Sequence, residues 1–208
     1  MNILIGLPCY GGMVQAETML SMIGLHRLLS LKRIEHTIAA TGNESLITRV
    51  QNYFANLAVF ETDSKGRPFT HLLFIDADSR FSATDILKMI EANKPIIALP
   101  YAMKEVQWST VGQAARLGIP DGLLEHYVGE PNINGTFVPV DEITKIDQVG
   151  AGTMLIDTTV FHTMVAKHPD WKYRLYPSEI KQVLGDGGNR DYAFDFFQCG
   201  IESQTRLY

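Results

Sequence analysis

Four short apolar runs, residues 2–7, 35–40, 71–75 and 96–99, recur along the first half of the chain, and the segments between them repeat at helical spacing. This alternation constrains the fold more than any other feature. Between the first two runs, Met19, Leu20, Ile23, Leu28 and Leu31 return every three or four residues, which predicts a helix over 15–31. Leu46, Ile47, Val50 and Phe54 share one face of a second helix over 44–57, with Asn43 placed to cap it. Ser82 and Asp85 form a capping box ahead of Ile86, Met89 and Ile90. Strand–helix units of this length predict an α/β fold with a mixed, mostly parallel sheet flanked by helices. Ligands of such sheets sit beyond the carboxyl ends of the strands. Three polar segments fall there: residues 8–12, 41–43 and 76–78.

The pattern loosens after Tyr101. Residues 112–134 are rich in Gly and Pro with weak periodicity, 136–140 and 148–156 read as strands, 158–167 as a helix, and the chain from Lys172 onward as loop. A length of 208 residues suggests one domain. Net charge is −5 without a basic stripe, which argues against a nucleic-acid partner. No apolar run reaches the roughly 18 residues of a membrane span. Pro8 and the missing basic n-region argue against a secretory leader. Cys9 and Cys199 make neither a metal-binding spacing nor a disulfide framework, so a cytoplasmic protein is expected.

The sharpest chemical feature is His71-Leu72-Leu73-Phe74-Ile75-Asp76-Ala77-Asp78. Two carboxylates two residues apart at the mouth of an apolar strand point the same way and repel. A hard divalent cation, Mn²⁺ or Mg²⁺, neutralises such a pair and keeps positions open for phosphate oxygens. Asp78 is then the expected metal ligand, with Asp76 on a ribose or on the metal's waters. Solvated loop acids are the plainer alternative.

Phe74-Ile75-Asp76-Ala77-Asp78 resembles the D-x-D signature of GT-A fold nucleotide-sugar glycosyltransferases. Gly6-Leu7-Pro8-Cys9-Tyr10 looks like that family's base-holding first loop, and 44–49 like the helix that offers a basic residue, here Arg49. Val149-Gly150-Ala151-Gly152-Thr153 is similar to its glycine-containing strand on the sugar and acceptor side. The ensemble resembles chlorovirus-encoded glycosyltransferase domains acting on a major capsid protein. The resemblance implies a single GT-A-like domain, 1–104 its Rossmann-like nucleotide-binding half and 105–208 its sugar and acceptor half. It also implies a metal-dependent transferase that uses a UDP-sugar donor and a glycan or glycoprotein acceptor. Pro8, Tyr10, Arg49, Asp76, Ala77 and Asp78 would bind the donor, and Gly150, Gly152 and Thr153 would line the acceptor side. Relatives follow a stretch like Asp195-Phe196-Phe197-Gln198-Cys199-Gly200 with an acidic catalytic motif; this sequence stops at Tyr208. Either the chain is excised from a longer protein or another acid serves. Asp186, Asp191 and Asp195 are the choices, Asp191 first because Arg190 and Tyr192 flank it.

Two other classes compete. A haloacid-dehalogenase-like phosphatase would use Asp76 as nucleophile and the Gly185-Asp186 to Asp191 stretch as a metal loop, but Arg80 stands where that family wants Thr or Val. A non-catalytic nucleotide-sugar binding module would share the donor site without turnover. A dinucleotide oxidoreductase is disfavoured, because Gly6-Leu7-Pro8-Cys9-Tyr10-Gly11-Gly12 lacks the G-x-G-x-x-G spacing.

Overall fold

The computed structural model describes residues 1–42, 44–101, 106–129, 133–134, 143–176 and 190–199. The expected cap Asn43, the expected strand 136–140, and the 185–188 glycine stretch with Asp186 lie outside these residues. In chain order the elements are β1 (Asn2–Cys9), α1 (Ala16–Leu31), β2 (Glu35–Gly42), α2 (Ile47–Phe60), β3 (His71–Ile75), α3 (Ala83–Ala92) and β4 (Ile96–Ala98). Then come α4 (Trp108–Arg116), β5 (Ile133–Asn134), β6 (Gln148–Val149), β7 (Thr153–Asp157), α5 (Thr158–Lys167), β8 (Lys172–Arg174) and β9 (Tyr192–Phe194). The chain divides into two compact units: Met1–Ile97 with Thr153–Tyr208, and Ala98–Gly152.

The first unit is built on a five-stranded sheet in the order β2-β1-β3-β7-β4. β1 runs parallel to both β2 and β3, and β7 runs antiparallel to β3. The fold class is therefore α/β with a mixed sheet whose first three strands are parallel. β1 and β3 are buried along almost their whole length, as strands covered on both faces must be. Leu4, Leu72 and Phe74 pack with Val50, Phe54 and Phe161 of α2 and α5. Side chains alternate across a strand, so Ile3, Ile5, Leu73 and Ile75 face the other side, where α1 packs beside α3. Gly6 is what lets α2 settle on β1: a Cβ there would lie 2.7 Å from the Phe54 ring.

Local signals account for most element ends. Asp157 caps α5 by accepting from the Thr159 backbone N–H at 2.8 Å. Asn93, at φ 47°, closes α3 in the left-handed conformation. Other ends differ from the sequence reading. α2 begins at Ile47, three residues after Glu44, because the Glu44 carboxylate instead holds the Leu46 N–H at 3.1 Å. Ser82 occupies the N-cap of α3, but its hydroxyl pairs with Thr84 Oγ1 at 2.7 Å and leaves the capping box unmade.

The expected strand over 148–156 is two strands, β6 and β7, in two different sheets. The break at Gly150-Ala151-Gly152 falls where small residues offer little side chain to pack. Residues from Lys172 onward are not all loop, since β8 and β9 pair antiparallel with Tyr173 opposite Ala193. In the second unit, the weakly periodic stretch holds the helix α4 and a 3₁₀ segment, Asp121–Tyr127. α4 buries only Ala114, which is why its apolar stripe is faint in sequence. β5 and β6 form a two-stranded antiparallel sheet in that unit.

Candidate functional site

The carboxyl ends of β2, β1 and β3 lie side by side. Pro8 pairs with Thr41 and Cys9 with Gly42, while Gly6 pairs with Phe74, two residues before Asp76. Connections from β1 lead to β2 on one side and onward to β3 on the other, so the topology switches at β1 and β3. A crevice beyond the strand ends is the usual consequence.

Pro8 and the loop after it stand on one side of that switch. Residues Tyr10–Gly12 make one 3₁₀ turn, in which Gly11 and Gly12 take φ of 67° and 70°. Side chains are strained at such values, so the turn requires glycine at both places. Tyr10 is 71% exposed and turns its ring outward. On the other side, residues 76–78 turn sharply, with the Ser79 N–H bonding Asp76 O at 3.2 Å. Ala77 carries the link between the two loops: its carbonyl accepts from Gln15 N, the N-cap residue of α1, at 2.8 Å. Asp76 is half-buried and Asp78 exposed. Thr153 opens β7 directly opposite Ile75, so it sits beside the end of β3 that carries Asp76. Gly150 and Gly152 belong to the other unit.

A second feature emerges that the sequence did not announce. A cleft of about 500 Å³ opens where β2 ends, lined by Thr41, Arg49, Asn52, Tyr53, Tyr173 and Asp195 among others. Its floor is an amide clamp. Asn52 Nδ2 donates to Asp195 Oδ1 at 2.6 Å, and Asn52 Oδ1 accepts from Phe197 N at 2.9 Å. Asn56, one turn on, donates to Phe194 O and accepts from Phe194 N, both at 2.8 Å. The two amides imitate a neighbouring strand and pin residues 194–197 to α2, where Phe194 and Phe196 join the core. Nothing in the local sequence of α2 marks Asn52 and Asn56 for this role. Their i, i+4 spacing was the one available hint.

The sequence-singled cation and acid stand differently from expectation. Arg49 lines the cleft and pairs with Glu44 at 3.5 Å, so its charge is already partly answered. Asp191 lies outside the cleft lining, exposed, with an Arg174 partner at 3.8 Å. Arg190 does not hold Asp191. Its guanidinium stacks over Phe60 at 4.3 Å, pairs with Glu61 at 3.5 Å, and donates to Asn56 Oδ1 and Tyr192 O. Burial holds the Arg190 pKa below its ordinary value, against the pull of Glu61. Of the candidate acids among the described residues, Asp195 is the one that lines the cleft. Burial likewise pushes up the Tyr53 phenol on the cleft wall and the Cys9 thiol at the end of β1.

Among the described residues, no group of three or more His, Cys, Asp or Glu side chains is placed to hold a metal ion. None of their helices is long and apolar enough to cross a membrane.

No known family model matches the chain, and no curated protein matches it in sequence. Among solved structures, the crystal structure of A197 from STIV aligns with a TM-score of 0.43 at 13% identity. The alignment covers 78% of this chain and 68% of that one.

Proposed function

We propose that the chain is a metal-dependent glycosyltransferase that moves a sugar from a UDP-sugar to a hydroxyl of a glycan or glycoprotein. One observation carries this reading: the 76–78 carboxylate turn stands at the topological switch of the parallel strands, tied through Ala77 to the glycine turn after β1. That is where an α/β sheet receives a nucleotide.

The donor set suits a hard cation. Asp76 and Asp78 offer carboxylate oxygens, the ligand type a hard divalent ion takes alongside water and phosphate oxygens. When bound, Mn²⁺ or Mg²⁺ would supply charge neutralisation at the diphosphate. The chain's own residues divide the remaining work. Tyr10 presents an exposed ring on which a base can stack, a contact of roughly 1–3 kcal/mol. Pro8 and the glycine turn give backbone access beside it. Arg49 lines the adjoining cleft, where its planar fork can meet base or phosphate oxygens. Asp76, nearer the sheet than Asp78, is the ribose partner. Gly150, Gly152 and Thr153 are assigned to the sugar side. An inverting transfer needs a carboxylate to take the acceptor's proton, and Asp191 is the residue put forward for it.

The deciding experiment is a thermal-shift screen of UDP, GDP and TDP with and without Mn²⁺, repeated on Asp78→Ala. UDP should stabilise the parent chain only with Mn²⁺, and Asp78→Ala should abolish that shift while the free protein melts as before. Equal UDP affinity in the two proteins sinks the assignment. Phosphate release from simple esters, with Asp76 trapped as its fluoroberyllate adduct, would replace the transferase by a phosphatase.

A further inference from the structure

α1 is apolar on both sides, and one of them is left uncovered. Met22, Leu25 and Leu29 are buried beneath the helix, while Met19, Leu20 and Ile23 are about half exposed. A helix that is apolar all round is normally covered all round. The exposed residues have a direction. His26 Nδ1 and His36 Nε2 are 2.8 Å apart, so the flank of α1 that carries His26 looks toward β2. Met19, Ile23, His26 and Ser30 follow one another along that flank at three- and four-residue steps, all exposed. None of the four is a carboxylate, a lysine or an arginine.

β2 offers the other half of the surface. It is an end strand of the sheet, and among the described residues no strand pairs with its outer edge. At eight residues it is long for an edge. The devices that usually protect one are missing from residues 35–42: there is no proline and no lysine, and the pairing with β1 runs one-to-one without a bulge. Ala39 packs toward α2, so alternation puts His36 and Ile38 on the α1 side, where Ile38 is 46% exposed.

An open strand edge is complemented by another strand, and an apolar helix flank by another apolar flank. A second copy of the chain supplies both at once. α1 is the crossover between two parallel strands, so it runs against β2. Four residues back along α1 from His26, and two residues on along β2 from His36, each span roughly 6 Å. Met22 and Ile23 therefore lie level with Ile38. A two-fold axis at that level pairs β2 antiparallel with its mate and turns Ile23 toward the partner's Ile23. The charges agree. Glu35 is the one Asp, Glu, Lys or Arg of β2 and stands at its first position, so antiparallel pairing sends the two carboxylates to opposite ends of the seam.

We propose that the chain forms a two-fold homodimer by antiparallel pairing of β2 with its copy, the α1 flanks closing over the seam. Two five-stranded sheets become one continuous sheet. The helix contacts fall on the face of the sheet opposite α2, which walls the Arg49 cleft, and the proposal does not depend on the transferase reading.

Sedimentation velocity and light scattering of the full chain over a wide concentration series should find a reversible species of twice the 23.2 kDa chain mass. Ile38→Lys sets an ammonium group in the seam, as natural edge strands do to prevent pairing, and should weaken the dimer at least about tenfold. Ile23→Glu leaves the strand untouched and brings two carboxylates together across the axis, so it should weaken the dimer by a similar factor. Both side chains are about half exposed, and each variant should melt with the parent. Hydrogen exchange locates the contact: β2 amides should slow as the parent is concentrated, and should not in Ile38→Lys. A parent that stays monomeric overturns the proposal and leaves the open edge to a strand from another protein. So does a dimer that Ile38→Lys fails to weaken, or one whose formation leaves β2 exchange unchanged.

Discussion

The carboxylate turn after β3 and the cleft beside α2 are assembled in opposite ways. Among the described residues the turn is local: Asp76 and Asp78 follow a fully buried strand, and a hydrogen bond from Gln15 to Ala77 ties their loop to the neighbouring one. The cleft is long-range, its floor made where Asn52 meets Asp195, 143 residues away in sequence. A local turn survives the loss of any one side chain because backbone hydrogen bonds and the sheet hold it. A clamp of two amides does not, because each amide satisfies several buried groups at once. The difference teaches that stability and ligand chemistry are separable at the first feature and coupled at the second.

Asn56→Ala should break the comparison most forcefully. Asn56 is 1% exposed and its removal strands the N–H and C=O of Phe194 in the core. About 3 kcal/mol of unfolding free energy should disappear in a urea titration. By contrast Asp78→Ala should melt with the parent; equal losses in the two would mean the turn is as structural as the clamp. Gly6→Ala comes next. Its Cβ would sit 2.7 Å from the Phe54 ring, so α2 must shift off β1, at a cost of about 2 kcal/mol measured the same way. Because Phe54 lies between Asn52 and Asn56 on the same helix, the clamp should loosen with it.

Acid titration sharpens the contrast at the far end of the sheet. Arg67 bonds both Asp63 and Glu35, at 2.7 and 2.9 Å, and hydrogen bonds from it hold each carboxyl near pH 2, below ordinary values of 3.8 and 4.5. Folded-state values below the unfolded ones mean that the unfolded chain binds more protons in this window. The stabilisation is complete above about pH 4.5 and is lost as pH falls toward 2. Arg67→Met should flatten that part of the stability–pH curve, and an unchanged slope would remove the cluster from the ledger of acid sensitivity. The smallest effect is expected at Asp191→Asn. As one half of an exposed pair with Arg174, its change should leave stability within about 0.5 kcal/mol. Turnover that vanishes in this variant at unchanged donor affinity would establish it as the proton acceptor.

Much of the first unit's architecture is legible in the sequence. The buried runs at 2–7 and 71–75 are strands within a residue or two, and the 158–167 helix begins and ends where its spacing says. Period and burial are local properties, so a linear reading captures them. The misreadings share a cause. α4 buries one alanine and shows little stripe, and β6 and β7 are one apolar run interrupted by a glycine pair that sends the chain into another sheet. Likewise Arg190 looks in sequence like a neighbour for Asp191, yet its guanidinium turns inward onto Phe60.

What the linear chain determined by itself was the α/β class and the Asp-x-Asp turn at the mouth of β3, because alternation and strand termination depend on residues within a few positions of each other. Only the tertiary structure decided that Asp195, not Asp191, reaches a cleft, and that two asparagines of α2 hold it there. Those contacts join segments separated by most of the chain, and a hydrogen bond between distant residues leaves no periodic trace in sequence.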